Sequence, residues 1–302
     1  MLFSVDRLQF INNKLVAYEF VDFTKPKSFD LLFYKEKIKV ISNRDFSDEF
    51  NLVQYNERQV GVGAGESKQR MDYNDFATWF KQKNNQSGQN DGASYSFSKP
   101  LGSATVRMGD PYVQGLLNEV YADSFPQLNF DDDDNGLGIV NQILKNKNTY
   151  GFDFDLFESA SRVVIEFLKR ENEFVTNLTS HPARYAKNKR KFVSLWNAAK
   201  RVNGGSPNLF LVNYSDNTKE PIQLVAVQDF DTDLNNNKMV LADIGYKLTG
   251  RRELLDWLKL LNEKPTMALG YLDGLPKQVR GRDFFKQLYA SSKKSTIGEH
   301  YE

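Results

Sequence analysis

The chain has no cysteine and only two histidines, His181 and His300. Without thiols it cannot form disulfides, cysteine-ligated zinc sites, iron–sulfur clusters or a thiol nucleophile. The two histidines also argue against a Ser-His-Asp triad and against a multi-histidine metal site. A bound metal would therefore be held mainly by oxygen, the ligand atom that Mg²⁺, Mn²⁺ and Ca²⁺ prefer.

Long apolar runs and a net charge of either sign are missing as well. No run approaches the roughly 18 apolar residues of a membrane-spanning helix, and the N-terminus, MLFSVDRLQF, lacks the layout of a signal peptide. We therefore expect a cytoplasmic protein with no membrane partner. Lys and Arg number 40 against 39 Asp and Glu, so only the distribution of charge can point to a partner.

Aromatic residues are abundant, with 23 Phe and 14 Tyr in 302 residues, and this composition excludes global disorder. Residues 1–60 contain four runs rich in Val, Ile, Phe and Tyr, and these predict short strands in an antiparallel meander. The four runs are LFSVDRLQFI, KLVAYEFVDF, SFDLLFYKEKIKVI and FNLVQYNE. A glycine-rich loop (61–70) and a short helix, YNDFATWFKQK, follow.

The rest of the chain alternates helical and strand patterns. Helices are predicted at 111–123 and 136–148, a strand hairpin at 149–157 and 161–169, a helix at 184–202 ending at Gly204-Gly205, strands at 207–215 and 221–230, and helices at 250–263 and about 281–291. These patterns predict an α+β protein with three regions: a β-rich N-terminal domain (1–105), an α/β core (106–235) and a helical C-terminal segment (236–302).

Acidic residues on the predicted hairpin suggest a metal site. Asp153 and Asp155 share one strand face, and Glu166 interrupts the apolar strand VVIEF just before Lys169 and Arg170. Carboxylates on adjacent strands beside a lysine are what metal-dependent phosphodiester hydrolysis needs. An edge hairpin with a solvated, charged face is the other interpretation.

A basic stretch follows the hairpin directly. No Asp or Glu occurs between residues 174 and 215, although acids make up about an eighth of the chain. Such a stretch is typical of a surface that contacts the phosphate backbone of DNA, although a solvated basic helix face would look the same. The predicted nucleic-acid-binding residues are Arg184, Lys187, Lys189, Arg190, Lys191, Lys200 and Arg201.

The order of these elements resembles the PD-(D/E)XK nuclease superfamily over roughly residues 136–230. The residues that carry the resemblance are Asp153 or Asp155 in GFDFDLF, Glu166 and Lys169 in VIEFLKRE, and the basic helix followed by LFLVNYS. The resemblance implies a restriction-endonuclease-like core, a mixed sheet flanked by helices. It also implies that Asp153, Asp155 and Glu166 are the candidate ligands of Mg²⁺ or Mn²⁺, and that Asp155, Glu166 and Lys169 are catalytic.

The spacing of the lysine differs from the family pattern, which has one residue between Glu and Lys. Leu168 takes that position here, so Lys169 falls on the opposite strand face unless the strand bulges. A lysine from the following helix could substitute for it, and the candidates are Lys187, Lys189 and Lys191.

Three functions remain open at this point. The first is a Mg²⁺-dependent DNA endonuclease, which could act as a monomer or a homodimer. The second is a non-catalytic nucleic-acid- or protein-binding factor that keeps a nuclease-like fold. The third, a calcium-regulated structural protein, depends on a partial calcium-loop pattern at 131–142, with Asp131, Asp133 and Asn135 at ligand positions but Gln142 at the last one. The alternating Asp229, Asp231 and Asp233 could form a second metal site.

Overall fold

The computed structural model describes residues 1–22, 31–56, 59–63, 69–89, 111–125, 135–144, 150–170, 175–184, 189–236, 238–290 and 301. The chain divides into two compact units, Phe3–Phe154, and Asp155–Glu302 with Met1–Leu2. Each unit combines helices with a sheet, which confirms the α+β class. Within the described ranges, no helix has the length and apolar character needed to cross a bilayer.

The sheet of the first unit runs in the order β1 (Leu2–Ile11), β2 (Lys14–Asp22), β3 (Glu49–Tyr55), β4 (Gln59–Gly63) and β5 (Gln69–Asp72). The unit also contains the helices α1 (Leu31–Ile41), α2 (Tyr73–Gln89), α3 (Pro111–Tyr121) and α4 (Asn135–Leu144). Asn12 and Asn13 turn β1 into β2 with positive φ angles, which asparagine tolerates well. Aromatic and aliphatic side chains of the strands, α2 and α4 form one core.

The segment SFDLLFYKEKIKVI forms helix α1, so the strand predicted for it is wrong. Phe33, Lys37 and Ile41 repeat every four residues and are all buried. Lys37 can face inward because its ammonium group lies 2.7 Å from the buried carboxylate of Glu19. This helix lets β3 run parallel to β2, so the predicted antiparallel meander is also wrong at this point.

The sheet of the second unit runs β11-β10-β9-β8-β7-β6. Its strands are β6 (Phe152–Glu158), β7 (Val163–Lys169), β8 (Asn208–Tyr214), β9 (Ile222–Phe230), β10 (Leu241–Leu248) and β11 (Lys277–Arg280). The helices are α5 (Lys189–Val202), α6 (Arg251–Glu263), α7 (Pro265–Tyr271) and α8 (Arg282–Ala290). The predicted hairpin, basic helix and two following strands are confirmed, and β7 and β8 pair in parallel across α5.

Two strands, β10 and β11, lie in the segment 236–302, which was predicted to be helical. β10 pairs with β9 and β11 pairs with β10, so the segment extends the sheet. Asp243 and Gly245 occupy inward positions of β10, where a strand usually has apolar side chains. The sequence therefore lacks the alternation of apolar and polar residues that predicts a strand. The division between the two units falls between Phe154 and Asp155, and the boundaries at 105 and 235 stay a prediction.

The register of this sheet separates a polar face from an apolar one. Ile165, Phe210, Ala226 and Ile244 form a row across four strands, and the ring of Phe210 lies 5.9 Å from that of Trp257 in α6. On the opposite face, the register places the row Glu166, Leu211, Val225 and Gly245, together with Asn213, Gln223, Asp243 and Arg280. A buried sheet face with this many polar side chains needs a specific network of partners.

Candidate active site

Asp155 and Glu166 leave neighbouring strands at the same level. The paired residues of the hairpin run from Glu158 and Val163 to Leu156 and Ile165, and Asp155 and Glu166 come next on the two strands. Side chains at opposed positions of an antiparallel pair have Cβ atoms about 5 Å apart. The Asp155 carboxylate accepts a hydrogen bond from the amide of Phe167, which directs it toward β7. The hairpin therefore brings together the two carboxylates predicted to act as one pair.

The turn of the hairpin is fixed by a third carboxylate. Glu158 is fully buried and accepts hydrogen bonds from the amides of Ala160, at 2.9 Å, and Ser161, at 2.6 Å. Arg162 completes the turn with a φ of 54°. A carboxylate that binds two turn amides holds the hairpin in one register, and the pairing of Asp155 with Glu166 depends on that register.

A lysine from α5 reaches Glu166, one member of this carboxylate pair. Lys191 Nζ contacts Glu166 Oε1, while the Glu166 side chain is 1% exposed and that of Lys191 is 26% exposed. Helix α5 holds this lysine in place by burying Phe192, Leu195 and Trp196 on its inward side. Of the three helix lysines considered as substitutes, Lys191 is thus the one that the structure brings to Glu166, whereas Lys187 lies outside the described residues.

Lys169 lies on the opposite side of β7. The parallel pairing with β8 is regular from Val163 to Lys169, with no bulge that could turn the side chain toward Glu166. The Lys169 ammonium lies 2.8 Å from the carboxylate of Asp216 instead. The predicted catalytic lysine is therefore separated from Glu166 by the sheet.

Asp153 is exposed and lies at the N-terminal end of β6, in the first unit. Burial lowers the pKa of Arg7 to about 10, and the negative charge of Asp153 acts in the opposite direction.

Among the described residues, no group of three or more His, Asp or Glu side chains could hold a metal ion together. Of the carboxylates in the described ranges, Asp155 and Glu166 are the two that the hairpin offers to a metal.

Apart from Lys191, the predicted nucleic-acid-binding residues that the structure describes fall into two sets. Arg190, Lys200 and Arg201 are exposed on α5. Lys189 is buried, and its ammonium donates to the carbonyls of Asp233, at 2.6 Å, and Asn236, at 2.8 Å. Half-buried Arg184 donates through Nε to the carbonyl of Thr179 at 2.8 Å. Among the described residues of the basic stretch, Arg184 and Lys189 thus stabilise the fold, and Arg190, Lys200 and Arg201 are the ones exposed on α5.

The other acidic candidates have local partners or lie outside the description. Asp229 binds Arg282, which lowers the pKa of the Asp229 carboxyl. Asp231 accepts a hydrogen bond from the Asp233 amide within the turn that receives Lys189. Asp131 and Asp133 of the calcium-loop pattern fall outside the described residues.

Sequence reasoning missed a buried network on the polar face of the second sheet. Asp243 accepts hydrogen bonds from Arg280 Nε at 2.6 Å and from His181 Nε2 at 2.9 Å. His181 Nδ1 accepts the amide of Ala183, so the ring is the neutral Nε2–H tautomer. Burial lowers the pKa of His181, while Asp243 opposes that shift. An aspartate and a glycine at alternating positions of the strand LADIGYKL were the available signal.

Comparisons of the chain with protein-family models, with curated proteins and with solved structures find no match.

Proposed function

We propose that the protein is a Mg²⁺- or Mn²⁺-dependent nuclease that hydrolyses DNA phosphodiester bonds with a restriction-endonuclease-like core. The observation that supports this most is the meeting of Asp155, Glu166 and Lys191 at one end of the β6–β7 hairpin. Two carboxylates and a lysine in one place are the set that the chemistry needs. The order hairpin, helix, parallel strand agrees with the family that the sequence resembles.

The carboxylate pair fits a magnesium ion better than a calcium ion. Mg²⁺ is usually bound through one or two carboxylates, with waters and substrate phosphate oxygens completing its shell, whereas Ca²⁺ takes six to eight oxygen ligands. Asp155 and Glu166 would hold the ion. When bound, it would polarise the phosphate and lower the pKa of a water molecule.

The protein side chains would divide the remaining work. Asp155 is positioned by its hydrogen bond to the Phe167 amide, and Glu166 by the strand that buries it. Lys191 would turn from Glu166 to the attacking water or to a phosphate oxygen, because its side chain is 26% exposed and is open to a ligand that arrives from solvent. The exposed Arg190, Lys200 and Arg201 would contact flanking phosphates.

A non-catalytic binding protein with the same fold is the second candidate. It is favoured by the contact between Lys191 and Glu166, which neutralises the carboxylate, and by Lys169, which faces away. In that case the hairpin carboxylates have a structural role, and only the exposed basic residues matter for function.

Plasmid cleavage separates the two candidates. The wild-type protein is incubated with supercoiled plasmid and Mg²⁺ or Mn²⁺, beside Glu166→Gln, Asp155→Asn and Lys191→Met. The nuclease proposal expects metal-dependent nicking that each variant lowers. For Lys191→Met the loss is about a hundredfold or more, in line with the roughly 10²–10⁴-fold contribution of a general acid–base group, whereas Asp155→Asn and Glu166→Gln weaken binding of the ion that activates the water. Salt-dependent binding without cleavage would support the binding protein.

Lys169→Met provides the matched comparison for Lys191→Met, because both remove one lysine that pairs with a carboxylate. If Lys191 acts in the reaction, Lys169→Met retains most of the wild-type rate. The reverse result would return the catalytic role to Lys169.

Light scattering of the same preparations tests the homodimer considered from the sequence.

A further inference from the structure

A second polar cluster lies on the same sheet face as Glu166, further along the strands. Asn213, Gln223 and Arg280 belong to β8, β9 and β11, and each is at most 1% exposed. Asn213 donates through Nδ2 to the Gln223 carbonyl oxygen at 2.8 Å. The cluster plays no part in the proposed hydrolysis, so its cost of burial needs a separate explanation.

The cluster still has hydrogen-bonding capacity. Among the described residues, Arg280 Nη1, Arg280 Nη2 and Asn213 Oδ1 have no hydrogen-bond partner. Of the three nitrogens of the Arg280 guanidinium, only Nε donates a hydrogen bond to Asp243. Both terminal nitrogens therefore remain available to another acceptor. Buried groups of this kind are rare in folded proteins, and they often mark a site that receives another molecule or an ordered water.

Gly245 makes the approach of these donors possible. A Cβ atom on Gly245 would stand 2.9 Å from Arg280 Nη2 and 3.0 Å from Gln223 Nε2. The two donors therefore converge over the bare backbone of β10. Any other residue at this position would displace one of them.

The C-terminal end of the chain already brings an oxygen atom to this cluster. Gln223 Nε2 donates to the hydroxyl of Tyr301, which is 78 positions away in sequence and half-buried. The group that meets the cluster is therefore the tip of a planar ring bearing an oxygen. An external ligand of similar shape could take its place.

We propose that Asn213, Gln223 and Arg280 form a binding site for a keto nucleobase, which Tyr301 occupies when nucleic acid is absent. Uracil, thymine and guanine present an acceptor oxygen beside an N–H donor. The oxygen matches the donors of Gln223 and Arg280, which converge at Gly245. Asn213 Oδ1, which has no partner among the described residues, is the acceptor available to the N–H. Cytosine and adenine present the reverse pattern. The choice of a nucleobase rests on the proposed function, whereas the donor and acceptor pattern comes from the cluster itself.

Nucleotide binding by the full chain tests this inference without metal or cleavage. Deoxyuridine and deoxycytidine monophosphates differ only at the hydrogen-bonding edge of the ring, and their affinities are measured by calorimetry in EDTA. For Tyr301→Ala we expect deoxyuridine monophosphate to bind about tenfold tighter than to the wild type, and about tenfold tighter than deoxycytidine monophosphate. Equal affinity for the two nucleotides, or no gain over the wild type, would overturn the inference.

Gln223→Leu in the Tyr301→Ala background should remove the preference for deoxyuridine monophosphate. Because Gln223 is fully buried, this variant could fail to fold, and the comparison of the two nucleotides in Tyr301→Ala then decides alone. Inorganic phosphate serves as a competitor, and displacement of the nucleotide by phosphate at equal concentration would also overturn the inference. A protein that fails to cleave plasmid can still pass this test, so the two proposals fail separately.

Discussion

Replacing Lys191 by methionine should destabilise the protein in a way that a divalent metal reverses. The substitution leaves the Glu166 carboxylate, which is 1% exposed, without its ammonium partner. Removing one partner of a buried pair costs about 3–5 kcal/mol, and because Lys191 is 26% exposed we expect about 2–4 kcal/mol here. In a unit of this size that loss lowers the melting temperature by about 5–15 °C.

A second buried pair provides the control. Lys37 and Glu19 lie 2.7 Å apart with side chains 3% and 1% exposed, so Lys37→Met removes the ammonium group from a similarly buried carboxylate that was not predicted to bind a metal. Mn²⁺ at a hundred times its dissociation constant stabilises a protein that binds it by about 2.7 kcal/mol. Thermal unfolding should show recovery by Mn²⁺ in Lys191→Met and none in Lys37→Met. Equal recovery in both variants, or in neither, would refute a cation site at Glu166.

Three further predictions follow from the same geometry. Lys189→Met should destabilise the fold by about 1–3 kcal/mol without changing the salt dependence of DNA binding. Arg190→Gln should leave stability unchanged and lower the slope of log affinity against log salt concentration by about one unit. Gly245→Ala should destabilise by about 1–3 kcal/mol through crowding, while Gly270→Ala, with open space around its Cβ, should be neutral or stabilising. Because burial lowers the pKa of His181, the unfolded chain takes up a proton that the folded protein refuses. Unfolding free energy should therefore fall as pH drops below about 6.5, by at most about 1.4 kcal/mol per pH unit, and His181→Gln should flatten this dependence in chemical denaturation between pH 7.5 and 5.5.

The middle of the chain could be predicted because its local signals agree with its tertiary environment. The hairpin has apolar strands around a short polar turn, and α5 ends at Gly204 and Gly205, which both adopt positive φ. Helix α1 could not be predicted in the same way, since its β-branched and aromatic residues favour a strand. A buried ion pair between Lys37 and Glu19, invisible in the sequence, decides its orientation.

The candidate site was predictable in its carboxylates and not in its lysine. Sequence spacing indicates that Asp155 and Glu166 occupy adjacent strands, because a short turn joins them. The sequence cannot show which lysine of α5 reaches Glu166. Lys189 and Lys191 are two positions apart, and only the packing of α5 decides where each of them points. The network around Asp243 could not be predicted from the sequence, because its members are spread over about a hundred residues and come together only in the folded sheet.

The most direct test of the account is the position of Mn²⁺ in crystals of the protein, read from anomalous scattering. The account predicts one ion bound by carboxylate oxygens of both Asp155 and Glu166, at about 2.0–2.3 Å, with Lys191 turned away from Glu166. An ion bound elsewhere, or Lys191 still in contact with Glu166 at saturating Mn²⁺, would contradict it.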